Sequence, residues 1–379
     1  MLSWVEISTS ALAHNIQVCK SLLSHSTKLC AVVKANAYGH GAENTSKIFL
    51  DNGADWLAVH SIDEAQRLRD ADITAPIYIL GYVEYAALQR AVDLDCRLVV
   101  YNTETLDWLG QLDTQAIVHV KIETGTHRQG VLVKDLPTFI EHTKQYTNIT
   151  IEGVTTHFAN VEDTTNADYY QEQLAEFKKA LDIFEDAGYT NLIRHCAAAG
   201  AAMLFPESHF DMVRYGIALY GMWPSEKLKV SFQEKFPQSD FTLQSACTWK
   251  ARIAQIKHIP AGECIGYGCT HQTDKSTTMA VIPIGYSDGY VRSLSNKSYV
   301  LVCGKKAPLL GRVSMNNIVI DVTDIEGVQL EDEVVLLGRN GDAQISSELF
   351  ANWADTINYE VPTRIATQVN ANIPRIVVG

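Results

Sequence analysis

The sequence predicts an α/β chain: an N-terminal (β/α)8 barrel of the TIM type followed by a C-terminal all-β domain. Three observations carry that expectation. Up to Tyr220 the chain alternates short β-branched runs with longer helix-like stretches, the runs number eight, and the texture changes after Tyr220. Eight parallel strands, each followed by a helix, close into a barrel.

The eight runs are residues 29–33, 56–59, 77–80, 97–100, 117–122, 149–155, 192–196 and 212–215. Most gaps between them leave room for the helix that a parallel crossover needs. Helical signals fill the gaps, as in the Asp-Glu-Ala-Gln-Arg-Leu stretch at 63–68 and the long stretch 168–187, which Gly188 ends at a C-cap. Beyond Tyr220, Pro224, Pro237 and the charges Glu226, Lys227, Lys229, Glu234 and Lys235 read as a surface connection. Strand-like runs follow at 248–259, 277–284, 299–302, 318–322 and 334–337, separated by turns containing Gly and Asp. The expected domains are therefore 1–236 and 237–379, with a first strand near residues 4–8 open to pairing with the C-terminal domain.

Composition narrows the function. The chain has 379 residues, 46% hydrophobic and 20% charged, which excludes a disordered or fibrous protein. Its net charge of −13 repels nucleic acid and anionic membranes, so neither is an expected partner. The start, Met1-Leu2-Ser3-Trp4-Val5-Glu6, has no basic region followed by an apolar run, and no stretch reaches the roughly 18 to 20 apolar residues of a membrane span. A cytoplasmic protein is expected. The eight cysteines, Cys19, Cys30, Cys96, Cys196, Cys247, Cys264, Cys269 and Cys303, contain no Cys-x-x-Cys pair and no Cys/His cluster at zinc-ligand spacing. Reduced, mostly buried thiols and no metal site are the expectation.

Catalytic groups of an α/β barrel sit where strands end, on the C-terminal face. The first run ends at Lys34, which opens Lys34-Ala35-Asn36-Ala37-Tyr38-Gly39-His40-Gly41. A lysine at a desolvated barrel mouth can be lowered in pKa and form a Schiff base with a carbonyl. On position alone a snorkelling or ion-paired lysine is the commoner outcome. The other strand ends change the odds: the fifth run leads to Lys121 and Arg128, the sixth to His157, and the eighth to Arg214, Gly216 and Ile217. Cations converging on one face of an acidic chain imply a pocket for an anionic ligand. The backbone N–H groups of Gly216 and Ile217 are placed to meet a phosphate, as in the last two strands of many barrels.

The sequence resembles the bacterial alanine racemases in several stretches that occur in order: residues 31–41, Asp211-Met212-Val213-Arg214-Tyr215-Gly216-Ile217 with its continuation to Gly221, Ile265-Gly266-Tyr267-Gly268, and Ile284-Gly285-Tyr286-Ser287-Asp288-Gly289-Tyr290. The resemblance spans nearly the whole chain. It implies a homodimer with head-to-tail subunits and shared active sites, using pyridoxal 5'-phosphate to interconvert L- and D-alanine and so supplying D-alanine for peptidoglycan. Lys34 would carry the cofactor and act as a base on one face, while Tyr267, reaching the partner subunit's pocket, would act on the other, since inversion needs a proton to leave one face and another to arrive opposite. Arg214 would face the pyridine nitrogen. An arginine there keeps the ring unprotonated, which weakens the electron sink and argues against an amino-acid decarboxylase of similar architecture.

Further roles follow from the same resemblance. Arg128 would meet the phenolic oxygen and the substrate carboxylate, and Lys121 matches a lysine that the family often carbamylates. His157 would stand beside the cofactor and Arg214, or serve as an orienting core histidine; both roles stay open. Tyr38 and Tyr359 would contact the phosphate with Gly216 and Ile217. Tyr359 and Tyr267 would narrow the pocket to small side chains, Tyr286 would line the entrance, and Met315 would offer its backbone N–H to the substrate carboxylate.

The chain departs from the family pattern in three places. Ala198 and Ala199 stand where an Asn-Ser pair usually puts a hydroxyl on the phosphate, leaving the Ala199 backbone N–H. Losing such a contact costs about 0.5–1.5 kcal/mol, more with a charged acceptor. Asn316 follows Met315 where an aspartate is usual, and Asn160-Val161-Glu162-Asp163 replaces an acidic pair. The competing expectations are a serine or broad-specificity small amino-acid racemase, and a non-catalytic carrier like barrel-only relatives that bind the cofactor. The complete β domain with Tyr267 opposes the carrier.

Overall fold

The computed structural model describes residues 1–162, 166–365 and 373–379. Asp163, the last residue of the altered acidic stretch, lies outside them. The chain divides into two compact units, one of Leu12–Ala37 and Ala42–Leu243, the other of Met1–Ala11, Tyr38–Gly41 and Gln244–Gly379. Among the described residues no helix is long and apolar enough to cross a membrane.

The chain opens with β1 (Ser3–Ser8) and continues through β2 (Lys28–Val32), β3 (Trp56–Val59), β4 (Ile77–Ile79), β5 (Cys96–Val100), β6 (Ala116–Glu123), β7 (Val131–Leu132), β8 (Ile149–Thr155), β9 (Ile193–His195) and β10 (Met212–Tyr215). All eight predicted barrel runs are strands. They lie parallel in the order β10-β2-β3-β4-β5-β6-β8-β9, and a bridge between Ala198 and Arg214 draws the two edges together, so the barrel nearly closes. The short β7 pairs with the end of β6. Strands covered on both faces read as continuous apolar runs, and β3, β4 and β10 are buried at every position.

Local chemistry starts the helices between them. Ser61 and Glu64 form a reciprocal cap at the head of helix Ile62–Asp70, and Asn102 caps helix Thr103–Gly110 through Thr105 N–H. Helix Asp168–Asp186 buries Tyr170, Leu174, Phe177, Ala180 and Phe184, spaced along one face. The predicted surface connection contains a helix, Glu226–Lys235, capped by Ser225 and anchored by buried Leu228 and Phe232. Its charges form the outer face, which hides the short apolar stripe from a reading by composition.

In the other unit, β1 sits inside a sheet rather than in the barrel. The strands are β11 (Cys247–Arg252), β12 (Gln255–Ile259), β13 (Cys264–Ile265), β14 (His271–Gln272), β15 (Thr277–Ile282), β16 (Tyr299–Val302), β17 (Lys305–Pro308), β18 (Ile318–Asp321), β19 (Glu333–Asn340), β20 (Ala343–Ile345) and β21 (Arg375–Val378). The main sheet runs β17-β16-β19-β11-β1-β21, with β20 beside β19; Val5 pairs with Trp249 on one side and Arg375 on the other. The run 248–259 is two strands in different sheets, because the chain leaves β11 and joins the small sheet β12-β15-β18. Helices Ser347–Ala354 and Glu360–Arg364 supplement the strands. Trp249, Tyr290 and Phe350 pack in succession through the core of this unit, the first pair tilted and the second edge-to-face, with ring centroids 6.0 and 5.5 Å apart.

One expectation is corrected. Cys264 and Cys269 are joined in a disulfide, not reduced, because the turn between β13 and β14 brings their Cα atoms within 5.0 Å. Five other cysteines are buried and Cys303 is exposed, all free.

Candidate active site

Lys34 leaves β2 in an unusual turn. Ala35, Asn36, Ala37 and Tyr38 all have left-handed backbones, with φ of 53, 54, 53 and 51°. That conformation costs roughly 1–2 kcal/mol per non-glycine residue and persists only where neighbours over-determine it. Here Glu64 does so: its carboxylate accepts from Ala35 N–H at 2.6 Å as well as from His60 and Ser61 N–H at 2.6 and 3.2 Å. Asn36 Oδ1 accepts from Ala42 N–H at 3.0 Å and from Arg67 at 3.2 Å. The Lys34 amine is partly buried, and burial followed by the nearby Arg128 cation lowers its pKa against the pull of Glu64.

The fifth and sixth barrel strands supply the next groups. Lys121 on β6, paired with Thr155 on β8, has its pKa brought down to about 8 by burial, then by Arg214, Arg128 and Lys34, against Glu123. Glu123 shapes the loop that carries Arg128, accepting from Gly125 N–H at 2.6 Å and Arg128 N–H at 3.2 Å. His157 follows β8; burial and the Arg214, Lys121, Arg128 and Lys34 cations hold its pKa well below the usual value, so it is neutral. The Thr126 hydroxyl and Gln173 fix its carbonyl. Thr126, Arg128, His157, Ala198 and Gly200 line an open cleft of about 250 Å³.

Arg214 on β10 is buried among neutral acceptors. Its Nη1 donates to Thr155 Oγ1 at 3.0 Å, His195 Nδ1 at 2.6 Å and His195 carbonyl at 3.0 Å, and its Nη2 to the carbonyls of Thr156 at 2.8 Å and Cys196 at 3.1 Å. From His195 the network runs inward and then out: His195 Nε2 lies 2.7 Å from His119 Nδ1, and His119 Nε2 lies 3.0 Å from Glu152 Oε2, which also accepts from Arg97 at 3.3 Å. Tyr78 packs against both imidazoles. A register shift between β6 and β8 at Val118/His119 makes this possible by leaving Glu152 between the paired residues Ile151 and Gly153. Gly153 is required as well, since a Cβ there would sit 2.6 Å from His119 Nδ1 and 2.7 Å from the Ile193 carbonyl.

Sequence reasoning missed His119, Glu152 and Glu64 as site residues. A histidine amid the apolar alternation of β6 was the one available signal for the first; the other two depend on tertiary contacts. The remaining barrel residues lie at strand ends as expected: Ala198, bridged to Arg214, precedes buried Ala199, while Gly216 precedes buried Ile217 after β10.

In the other unit, buried Tyr38 lies with its ring centroid 6.4 Å from that of Tyr359. Tyr286 and Met315 come together through their backbones: Tyr286 N–H donates to the Ser314 carbonyl at 3.0 Å, and Ser287 donates to the Met315 carbonyl from N–H at 3.0 Å and from Oγ at 2.8 Å. Asn316 Nδ2 donates to Ser287 Oγ at 2.8 Å. Tyr267 stands apart on the turn between β13 and β14, 72% exposed, between Gly266 and Gly268 at φ of 74° each.

Known proteins share both units. Residues 7–224 match the sequence profile of the alanine racemase N-terminal domain, and residues 246–373 that of the alanine racemase C-terminal domain. The alanine racemase of Leptospira interrogans is 38% identical over 378 residues, covering 99% of this chain and 96% of its own. That of Methanococcus maripaludis is 39% identical over 378 residues, covering 98% of each. Among solved structures, the alanine racemase from Bacillus anthracis with bound L-Ala-P aligns with a TM-score of 0.91 at 34% identity, covering 100% of this chain and 95% of that one. The alanine racemase from E. faecalis gives 0.90 at 31%, covering 99% and 98%. A barrel-only carrier would match the first profile alone. With profile, sequence and fold agreeing over both units, the chain belongs to the alanine racemase family and is an amino-acid racemase.

Proposed function

We propose that the protein interconverts L- and D-alanine with pyridoxal 5'-phosphate, in a homodimer whose subunits share their active sites, and that it supplies D-alanine for peptidoglycan from the cytoplasm. The observation that carries this reading is the barrel mouth, where a lysine of lowered pKa, Lys34, shares one electrostatic environment with Arg128, Lys121, neutral His157 and buried Arg214.

The donor set suits that cofactor. Arg214 gives hydrogen bonds but keeps its proton, so it fits an unprotonated ring nitrogen. Backbone N–H groups of Ala199, Gly216 and Ile217 would hold the phosphate with Tyr38 and Tyr359, and Arg128 would hold the phenolic oxygen and the substrate carboxylate. When bound, the cofactor supplies an electron sink that acidifies the α-hydrogen of an amino acid. The chain's own residues then do the rest. A lowered Lys34 pKa raises the neutral fraction of its amine, which takes or returns a proton at Nζ on one face. Tyr267 would do so at its phenolic oxygen on the opposite face. Met315 N–H would orient the carboxylate, and Tyr359 and Tyr267 would exclude side chains larger than a methyl group.

The test is incubation of the protein with pyridoxal phosphate and L-alanine in heavy water. D-alanine bearing deuterium at the α-carbon is expected. Exchange without inversion would remove Tyr267 from its role, and the absence of exchange would defeat the proposal. Faster turnover of serine than of alanine would move the substrate assignment to a broader racemase.

A further inference from the structure

We infer that Glu64 is a positioning residue for Lys34: its carboxylate fixes the peptide that follows Lys34 in the left-handed turn, and so sets where the amine reaches. The inference rests on the reading of Lys34 as the residue that carries the cofactor and moves a proton.

The Lys34 carbonyl and Ala35 N–H belong to one planar peptide group, so a bond to that N–H fixes the backbone rotation of Lys34 itself. Glu64 Oε1 accepts from it at 2.6 Å, a short distance suited to a charged acceptor. The other oxygen, Oε2, accepts from His60 N–H at 2.6 Å and Ser61 N–H at 3.2 Å, just beyond β3. β2 and β3 are neighbours in the barrel, with Val32 opposite Ala58. One carboxylate therefore ties the two strand ends together at the point where Lys34 leaves the barrel. A capping box requires only the bond to Ser61 N–H, and the reach to Ala35 goes beyond it.

The turn has little support of its own. Four consecutive residues from Ala35 to Tyr38, none of them glycine, hold a backbone that L side chains disfavour. Ala37 N–H donates to the Val33 carbonyl at 2.8 Å. Asn36 Oδ1 is clamped by Ala42 N–H and Arg67, one residue too late to set the Lys34 peptide. Arg67 stands three residues after Glu64 on helix Ile62–Asp70, so both reach the turn from one helix face, and Glu43 braces Arg67 at 2.7 Å.

Glu64 also faces the amine as an anion. Arg128 favours loss of the Lys34 proton and Glu64 opposes it, while Lys121 and neutral His157 share the same mouth. Glu64→Gln therefore has two separable effects. Its amide offers one acceptor oxygen and turns N–H donors toward backbone donors, so the turn loosens. Loss of the charge lowers the Lys34 pKa further, which a purely structural role would not do.

The experiment compares the wild-type protein with Glu64→Gln, Glu64→Asp and Ser61→Ala, each as holoenzyme and as the full chain stripped of cofactor. Alanine turnover against pH reads the reaction, the lysine ¹³Cε shift of the stripped chain reads the Lys34 titration, and urea unfolding reads stability. In Glu64→Gln, kcat is expected to fall by up to about 100-fold, as for a displacement near an ångström, with the acid limb of kcat and the ¹³Cε midpoint both moved to lower pH. Glu64→Asp keeps the charge but falls a methylene short of Ala35, and should lower kcat with less movement of the limb. Ser61→Ala should lose stability through the cap yet keep wild-type kcat and both midpoints. Wild-type kcat in both Glu64 variants, an unmoved ¹³Cε midpoint in Glu64→Gln, or an equal loss of kcat in Ser61→Ala would overturn the inference. Failure of the wild-type protein to racemise alanine would defeat the reading of Lys34 instead, and the ¹³Cε midpoints of the stripped chains would still decide whether Glu64 acts on the amine.

Discussion

His119 Nδ1 lies 2.7 Å from His195 Nε2, and both imidazoles are fully buried. Because Arg214 can only donate, His195 must accept at Nδ1 and carry its proton on Nε2. His119 then accepts at Nδ1 and donates from Nε2 to Glu152. The hydrogen bonds run in one direction, from a buried cation through two neutral rings to a carboxylate. Although burial raises the Glu152 pKa, the hydrogen bond from His119 and the Arg97 cation hold it below the usual value, so the acceptor end is ionised.

Removing that end should orphan the His119 N–H. Glu152→Leu is expected to cost about 1–3 kcal/mol in unfolding free energy, the range for a buried donor left unpaired, while Glu152→Gln, which keeps a carbonyl acceptor, should cost less. Urea unfolding of the two variants decides it; equal stability would show that the chain does not depend on its carboxylate. Histidine ¹⁵N shifts in the wild-type protein should report the Nε2–H tautomer for both rings.

The same rings set an acid limit. Burial, outweighing the Glu152 hydrogen bond, lowers the pKa of His119, and burial followed by the Arg214 cation puts His195 well below 6.5. Below about pH 6.5 the unfolded chain therefore binds protons that the folded chain refuses. Stability should be fully present above that pH and be lost as pH falls, at about 1.4 kcal/mol per pH unit for each histidine until its folded pKa is reached. A urea midpoint unchanged between pH 7.5 and 5.5 would contradict both assignments.

The barrel strands were legible because each is a local apolar run, and Lys34 and Arg214 were legible because strand ends in a barrel have a known meaning. The histidine chain was not, since it depends on a register shift that leaves Glu152 between paired residues of β6 and β8, strands joined by a long connection. The left-handed turn after Lys34 gave no sign either: it contains no glycine from Ala35 to Tyr38, and its support, Glu64, reads in sequence only as a helix cap. The Cys264–Cys269 spacing fits no familiar pair motif, and only the hairpin shows that the two residues meet.

Separate loss and joint recovery should reveal shared sites. Lys34→Ala is expected to abolish both cofactor absorption and racemisation, whereas Tyr267→Phe should keep the absorption and lose proton transfer on one face. If each pocket combines Lys34 of one subunit with Tyr267 of the other, a mixture of the two variants that exchanges subunits should regain up to about a quarter of wild-type activity by random pairing in which half the dimers carry one intact site. No recovery despite demonstrated exchange would place both residues in the pocket of a single subunit.

Lys121 is poised to change its charge. With its pKa near 8, roughly a tenth of the amine is neutral at pH 7, and that fraction rises with pH. Neutral Nζ can attack carbon dioxide, forming an N–C bond and releasing a proton, so alkaline conditions favour the product. The resulting anion would stand among Arg128, Arg214 and Lys34, whose cations now act together to lower the amine's pKa. Their repulsion would become attraction, and a carbamate oxygen would accept from the planar donor fork of Arg128. Labelled ¹³C-bicarbonate should give a carbamate resonance that grows between pH 7 and 9 and vanishes in Lys121→Met. In that variant the loss of one charge-assisted contact should raise KM for alanine about tenfold, the equivalent of about 1.4 kcal/mol. A spectrum without the resonance at pH 9 would leave Lys121 as a cation and require Arg128 to be oriented by Glu123 and the loop backbone alone.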